Sequence, residues 1–331
     1  MKEIVFINKN AEDWQNLESV IVSGEISDPD SLTEMYARLT DDLAYARTYF
    51  PESETEFYLN SLARKAHAFI YKTKKEKNNR FLVFWKYEFP VEIYKARKFI
   101  LWSAAVFLFA AFIGALSAAN EQDFVRLIMG DSYVDMTIRN IENGEPMAVY
   151  ASAERDYMFL AIAYNNVRVA MLTFILGMFS YFGTGAILFF NGIMLGSFQY
   201  FFHKYNVLYD SVLSIWIHGT VEIFAIMVAG GAGLILGSSF IFPRTYSRKV
   251  SFMKGAKRGA KIILGLIPFI ILAAFLEGYI TRHTEWHDFI RIGIIAASAA
   301  LIVAYFFVYP YNLSRKLKND EEFKAFYNNL F

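Results

Sequence analysis

The stretch that decides the fold is FILWSAAVFLFAAFIGALSAA, residues 99–119, which contains no charged side chain. A helix needs about 20 apolar residues to cross the hydrocarbon layer of a bilayer, and this stretch supplies them. Lys95, Arg97 and Lys98 stand directly before it, as is typical of the cytoplasmic end of a span. We therefore predict that residues 99–119 form a transmembrane helix.

The composition of the whole chain is that of a membrane protein. Of its 331 residues, 55% are hydrophobic and 18% are aromatic, which exceeds the usual content of soluble domains. The formal net charge of +1 gives no reason to expect a nucleic-acid partner. Because the chain has no cysteine, disulfides, thiolate metal ligands and cysteine nucleophiles are excluded.

Residues 1–98 precede the first span and carry many charged side chains. Apolar residues recur among them at helical spacing, and Ser31 with Glu34, like Ser53 with Glu56, has the spacing of a capping box. The first residues lack the features of a secretory signal peptide. We expect residues 1–98 to form a cytoplasmic head of amphipathic helices.

Further apolar regions follow within a transmembrane domain that we place at 99–313. They are 167–202, 211–242, 262–281 and 290–309. The segment 120–166 is poor in Lys and Arg, which favours an outer location, whereas the connection 243–261 and the tail 314–331 are basic and should be cytoplasmic. We therefore expect a multi-pass protein of the cytoplasmic (inner) membrane with both termini in the cytoplasm.

The number of crossings does not follow from simple counting. Five plain crossings would place the basic 243–261 connection outside, against the positive-inside rule. An odd number of crossings is needed between residues 120 and 243, so 167–202, 211–242 or both should be broken. The prediction is an all-α polytopic transmembrane helix bundle with about six crossings, or four plus re-entrant helices. Because irregular backbone at membrane depth needs cover, we place the centre of the bundle in 167–242.

The sharpest local feature is His218 with Glu222, which are four residues apart and share a helix face. A carboxylate at membrane depth costs about 3 kcal/mol, so it is rarely without a role. The pair indicates either a proton or ion site or a hinge, or a hydrogen-bonded pair that fixes helix register beside Asn191 or Gln199. A third ligand is not evident from the spacing, so we predict neither a metal site nor a cofactor.

Other polar residues could join this centre. Asn165, Asn166 and Arg168 stand at the mouth of the second predicted span. Glu277 either lies at the outer interface, where an acid costs little, or faces inward toward the polar centre. Asn191 marks either a broken helix or a straight helix.

Small and basic residues form two further patterns. In a straight helix, Gly192 and Gly196 would form a packing face, and a second stripe of small residues at steps of four predicts close helix packing at Ala225, Ala229, Gly233 and Gly237. A basic helical face, which suits lipid headgroups or a partner's acidic patch, is formed by Lys254, Lys257, Arg258 and Lys261.

The order of these motifs resembles the stage II sporulation protein M (SpoIIM-like) membrane protein family. The residues that carry the resemblance lie in the head and along the bundle: Asp42 to Arg47, Tyr58-Leu59-Asn60, Asn165-Asn166, Phe190-Asn191-Gly192, Leu195-Gly196, His218-Gly219, Glu222, Ala229-Gly230, Gly233 and Glu277-Gly278. The resemblance implies a polytopic, non-enzymatic membrane scaffold that positions partner proteins at the cell envelope.

Two functions from different classes are therefore expected. The first is the scaffold, with membrane lipids and unidentified envelope or cytoplasmic proteins as partners. The alternative is a transporter, channel or lipid-moving protein with a polar site at His218, Glu222 and Asn191. The small-residue stripes suit homo-oligomers as well as packing within one chain.

Overall fold

The computed structural model describes residues 2–23, 29–70, 80–121, 123–150 and 155–328, and these contain helices and no strands. The chain divides into two compact units, Met1–Lys77 and Asn78–Phe331. Five helical stretches are long and apolar enough to cross a membrane. The all-α polytopic class predicted from the sequence is therefore confirmed.

The first unit contains three helices, α1 (Glu3–Ser23), α2 (Pro29–Tyr49) and α3 (Glu54–Ile70). Their apolar faces form a separate core around Leu17, Leu39 and Leu59, each of which is almost completely buried. The Trp14 indole donates a hydrogen bond to Asp42 Oδ2 at 2.8 Å, which joins α1 to α2. This unit thus has the hydrophobic core that an independent domain requires.

One of the two predicted capping boxes is present in the first unit. The Glu56 backbone N–H donates to Ser53 Oγ at 3.1 Å, and the Glu56 carboxylate accepts from the Glu52 N–H at 2.9 Å. These bonds satisfy donors at the start of α3, which have no partner within the helix. By contrast, α2 begins at Pro29, so Ser31 lies inside its first turn and the prediction of an N-cap there was wrong.

The boundary of the head lies earlier than residue 98. Phe84, Phe89 and Ile93 are buried in the core of the second unit rather than in the first. The charged residues between 86 and 98 suggested a soluble segment, but Glu88 and Glu92 are themselves buried and are paired with cations of a later helix.

The second unit begins with a long helix and a peripheral segment. The short helix α4 (Arg80–Val83) continues through a π-helical turn (Phe84–Glu88) into α5 (Phe89–Asn120). Next come α6 (Phe124–Met129), α7 (Asp131–Glu142) and a 3₁₀ turn (Ala148–Tyr150).

The remaining helices complete the bundle. They are α8 (Arg155–Ile175), α9 (Ser180–Lys204), α10 (Leu208–Ile241), α11 (Arg248–Phe275) with a π-helical turn (Leu276–Ile280), α12 (Asp288–Ile302) with a π-helical turn (Val303–Val308), α13 (Tyr309–Asn319) and α14 (Glu321–Asn328).

The chain reverses direction between α8 and α9. A 3₁₀ turn at Leu176–Phe179 leads to Ser180, which has a φ of 67°. The Thr184 hydroxyl donates to the Thr173 carbonyl at 2.9 Å, whereas a straight helix would separate these residues by about 16 Å. The second apolar stretch, Asp156–Lys204, therefore contains two helices that run in opposite directions, and three helices of membrane-spanning length, α8, α9 and α10, lie between residues 120 and 243.

The helix is broken at 176–180 and not at Asn191, so the broken-helix alternative for Asn191 is wrong. Asn191 lies within the uninterrupted helix α9. A methyl group on Gly196 would lie 1.8 Å from the Ala111 carbonyl oxygen, so this glycine allows α9 to approach α5 closely. The straight helix with a glycine packing face is therefore the correct alternative.

The helix α10 is also continuous, so the break expected within 211–242 was wrong. Its small residues Ala225, Ala229, Gly233 and Gly237 are all buried. A methyl group on Gly233 would lie 2.3 Å from Thr184 Oγ1, and one on Gly237 would lie 2.9 Å from the Ser180 carbonyl carbon. In α10 the glycines serve close packing rather than bending.

The helices alternate in direction through the bundle. Gly192 of α9 faces Phe107 and Gly196 faces Ala111, so α5 and α9 run parallel. Gly230, Gly233 and Gly237 of α10 face Leu188, Thr184 and Ser180 of α9, respectively. Residue numbers rise along one helix as they fall along the other, so α9 and α10 are antiparallel.

The first and last membrane helices meet at the same end of the bundle. The hydroxyls of Tyr305 and Tyr309 donate to the backbone carbonyls of Trp85 and Lys86, both at 2.7 Å. In the π-helical turn the Phe89 N–H bonds to the Phe84 carbonyl, five residues back. The next position is Pro90, which has no N–H to offer to these two carbonyls, so the tyrosines take the place of the missing donor.

Candidate functional site

A cavity of about 610 Å³ lies inside the second unit. Its walls come from α8, α9 and α10, and residues of α5, α6, α7 and the turn after α11 complete it. The lining residues are Phe107, Ile128, Met129, Tyr133, Ala161, Ile162, Asn165, Asn166, Asn191, Met194, Leu195, Phe198, Ile215, His218, Gly219, Glu222, Ile223, Ile226 and Glu277. The wall is mostly apolar, with a few polar groups that converge from different helices.

His218 projects from α10 and is held by Thr281. Its Nδ1 lies 2.9 Å from Thr281 Oγ1, and the same hydroxyl donates to the Leu276 carbonyl at 3.1 Å. The Thr281 hydroxyl has one proton, and when it donates this proton to the Leu276 carbonyl it accepts from His218 Nδ1–H. In that tautomer the proton of a neutral imidazole resides on Nδ1, and Nε2 is the ring nitrogen that can bind a cation.

The π-helical turn after α11 supplies two neighbours of the His218 imidazole. In this turn the Thr281 N–H bonds to the Leu276 carbonyl at 2.8 Å, five residues back. The widened turn places Glu277 and Thr281 against the same imidazole, with Glu277 Oε2 at 3.9 Å from His218 Nε2. Single π-helical turns often occur at functional sites, and this one brings an acid from a distant part of the chain to α10.

Glu222 lies one turn beyond His218 and completes a group of three. One ligand atom from each of His218, Glu222 and Glu277 lies within 4.8 Å of the others. Asn166 of α8 lines the same cavity, and its buried Nδ2 has no hydrogen-bond partner among the described residues. Among the described residues that line the cavity, none is Lys or Arg, so the two carboxylates have no basic side chain in the wall beside them.

Tyr133 of α7 was not singled out from the sequence. Burial raises the pKa of its hydroxyl, and the negative charge of Glu277 raises that pKa further. The hydroxyl therefore stays protonated at neutral pH and can donate into the cavity. The amphipathic pattern of α7 is the only sequence signal that could have drawn attention to it.

The structure brings together most of the polar residues singled out from the sequence. Six of them line the cavity: Asn165, Asn166, Asn191, His218, Glu222 and Glu277. Gln199 and Arg168 do not, and the Arg168 side chain is exposed. The Asn191 amide donates to the Ile187 carbonyl of its own helix at 2.8 Å.

Two expectations about these residues need correction. Asn165 and Asn166 lie well inside α8, which begins at Arg155, and not at the mouth of a span. A third possible ligand atom is also present beside His218 and Glu222, because Glu277 lies within reach of both, although the sequence spacing showed none. A ligand contributed by a distant helix leaves no spacing pattern in the sequence.

The basic face of α11 is only partly free. Arg258 Nε lies 3.0 Å from Glu92 Oε2, and Lys261 forms an ion pair with Glu88. Lys254 stands 3.5 Å from the centre of the Tyr246 ring, and Lys257 is exposed. The expectation that all four cations face lipid or a partner was therefore wrong for Arg258, which binds Glu92 of α5, and for Lys261, which binds Glu88 of the π-helical turn before α5.

Comparison with known proteins identifies the bundle. The family model described as Stage II sporulation protein M matches residues 103–282, and a model described as Domain of unknown function (DUF8413) matches residues 4–72. An uncharacterized protein of Methanocaldococcus jannaschii is 26% identical over 188 residues, which cover 56% of this chain and 82% of the relative. No solved structure matches. Since the first match covers more than half of the chain and includes His218, Glu222 and Glu277, this protein belongs to the stage II sporulation protein M family.

Proposed function

We propose that this multi-pass membrane protein binds a small cation in the cavity and carries it across the membrane. The observation that carries the proposal is the cavity itself, about 610 Å³, with two carboxylates and an imidazole converging on it. Its volume is within the range of about 300–1,000 Å³ typical of small-ligand sites. Carboxylates without a basic neighbour in the wall favour a positively charged ligand.

The alternative role of His218 and Glu222 is to fix helix register. A pair with only that role needs tight packing and mutual hydrogen bonds. Here Glu222 and Glu277 both face open space, and His218 is oriented by Thr281. This arrangement supports ligand binding over a purely structural pair.

The position of the cavity supports transport with access from one side. It lies in the half of the bundle that carries α6 and α7, while the other half is closed by glycine-mediated packing around Gly177, Gly233 and Gly237. With the basic 243–261 connection in the cytoplasm, the cavity opens outward and both termini are cytoplasmic. Transport then requires α8 and α9 to separate from α10 at the closed end.

The test is cation flux through full-length protein in liposomes. Vesicles loaded with pyranine report protons, and vesicles loaded with calcein report Mn²⁺. We expect signals above those of protein-free vesicles for at least one cation, loss of that signal in Glu222→Gln, and no loss in Glu145→Gln, an exposed acid outside the cavity. Equal signals from protein-containing and empty vesicles would refute transport.

A scaffold that positions partner proteins is the second candidate. The observation in its favour is the separate head, Met1–Lys77, which has its own core and its own family match. Cross-linking of the full-length chain in native membranes should join a reproducible partner to the head, and Glu222→Gln should leave that cross-link intact. A head that yields no reproducible cross-link, or one lost in Glu222→Gln, would contradict the scaffold.

A further inference from the structure

We propose that His218, Glu222 and Glu277 bind one divalent transition-metal ion, of the Zn²⁺, Mn²⁺ or Fe²⁺ class, with His218 Nε2 as the nitrogen ligand. The proposal uses the cavity of the proposed function and specifies the cation that occupies it. It concerns binding at equilibrium and therefore holds or fails separately from transport.

The distances suit a single ion. Ligands bound tetrahedrally at about 2.1 Å from a metal lie about 3.4 Å from one another. His218 Nε2 and Glu277 Oε2 are 3.9 Å apart, and all three ligand atoms lie within 4.8 Å of one another. Small side-chain rotations of Glu222 and Glu277 would bring the three ligand atoms to coordination distance from one ion.

The imidazole is oriented for coordination. In the tautomer in which the Thr281 hydroxyl accepts from Nδ1–H, Nε2 is the metal-binding nitrogen, and it lies 3.9 Å from Glu277 Oε2. A cation placed between this nitrogen and the carboxylate oxygen is attracted by both. Metal-binding histidines usually donate their other ring N–H to an oxygen in the same manner, and Thr281 provides that oxygen.

The charges select a divalent ion. When both carboxylates are ionised, they and a neutral imidazole carry two negative charges, and the described residues of the cavity wall include no Lys or Arg. A divalent cation neutralises the group, whereas one proton or one monovalent ion leaves a net charge in a largely buried site. An uncompensated charge in such a place is costly.

The ligand types select a transition metal. Imidazole nitrogen suits Zn²⁺ and Fe²⁺, carboxylate oxygen suits Mn²⁺, and Mg²⁺ and Ca²⁺ prefer oxygen alone. The remaining coordination positions face the cavity, where water or a solute can occupy them. This open side allows the ion to enter and leave.

The test measures metal binding to the purified full-length protein in detergent. The protein is stripped with a chelator and titrated with MnCl₂ while the electron paramagnetic resonance signal of free Mn²⁺ is followed, and Co²⁺ absorption then reports the ligand type. We expect one ion per chain, at least tenfold weaker binding in Glu222→Gln and Glu277→Gln, and loss of the nitrogen-dependent Co²⁺ spectrum in His218→Gln.

The matched control uses the other His–Glu pair of the chain. His283 Nδ1 and Glu285 Oε1 are 2.9 Å apart in an exposed turn outside the cavity, so the double variant H283Q/E285Q should bind as the wild type does. Thr281→Val, which removes only the hydroxyl that orients His218, should weaken binding about 10–100-fold. Size-exclusion profiles establish that each variant is folded, and Glu277→Asp replaces Glu277→Gln if that variant misfolds.

The outcomes separate this site from transport. Absence of a stoichiometric ion in the wild type, or unchanged binding in folded variants of the three ligands, overturns the metal site. Loss of binding in H283Q/E285Q also overturns it, since the ion would then be held at the exposed pair. One ion bound at His218 without either Mn²⁺ or proton flux confirms the site and refutes transport, whereas proton flux without metal binding does the reverse.

Discussion

Replacing Gly196 by alanine should destabilise the bundle, because the added methyl group has no room. It would lie 1.8 Å from the Ala111 carbonyl oxygen and 2.8 Å from the Ala115 nitrogen, both backbone atoms that cannot rotate away. To reach an ordinary contact of about 3.4 Å, α9 and α5 must separate along the face that Gly192 and Gly196 share.

The magnitude follows from two opposing effects. Overpacking of a close-packed interior costs about 1–3 kcal/mol. Because the added methyl group would clash with backbone atoms of both Ala111 and Ala115, we place Gly196→Ala at the upper end of that range. Alanine in place of glycine within a helix contributes about 1 kcal/mol in the opposite direction. The net expected loss is therefore about 2 kcal/mol.

Gly185 provides the matched control within the same helix. A methyl group there meets no atom within 4 Å, so Gly185→Ala should retain the helix-propensity gain and be neutral or slightly stabilising. Unfolding of the full-length protein in mixed micelles, monitored by circular dichroism, measures both variants. A Gly196→Ala protein as stable as Gly185→Ala would refute the close approach of α5 and α9.

Three other predictions rest on single residues. Ser180 has a φ of 67° and a ψ of −155°, a region that glycine alone adopts without strain, so Ser180→Gly should keep or raise the melting temperature while Ser180→Val lowers it. Asp42 accepts a hydrogen bond from Trp14, and burial raises the pKa of its carboxyl. Because the pKa is higher in the folded state than in the unfolded state, the ionised carboxylate lowers stability at neutral pH. This loss of stability disappears as the pH falls through the folded-state pKa. Asp42→Asn should therefore slow hydrogen exchange of α1 and α2 at pH 7, and faster exchange would contradict the sign. Since the chain has no cysteine, single-cysteine variants at Lys257 and Glu145 should react with impermeant maleimides from opposite sides of the membrane, and labelling from the same side would contradict the topology.

Much of the fold was predictable because membrane insertion follows one-dimensional rules. The apolar stretch 99–119 and the basic connection 243–261 required an odd number of crossings between residues 120 and 243, and α8, α9 and α10 supply three. The position of the break was not predictable, because glycines permit both bending and close packing. Gly192 and Gly196 pack against α5, whereas the actual turn contains Ser180 in a strained conformation.

The candidate site was predictable only in part. His218 and Glu222 were recognisable because they lie one turn apart on an apolar helix. Glu277 and Thr281 reach them only through a π-helical turn on another helix, which no periodicity reveals. The burial of Glu88 and Glu92 was not predictable either, because their partners Lys261 and Arg258 lie far along the chain.

The tyrosine hydroxyls that reach Trp85 and Lys86 have a consequence for biogenesis. During synthesis the first membrane helix enters the bilayer long before Tyr305 and Tyr309 are made. Until then, the two carbonyls beside Pro90 depend on water or on the insertion machinery for a donor. The last helix therefore supplies hydrogen-bond donors that the first one lacks. A ribosome stalled before residue 305 should leave the Trp85 and Lys86 carbonyls without these donors.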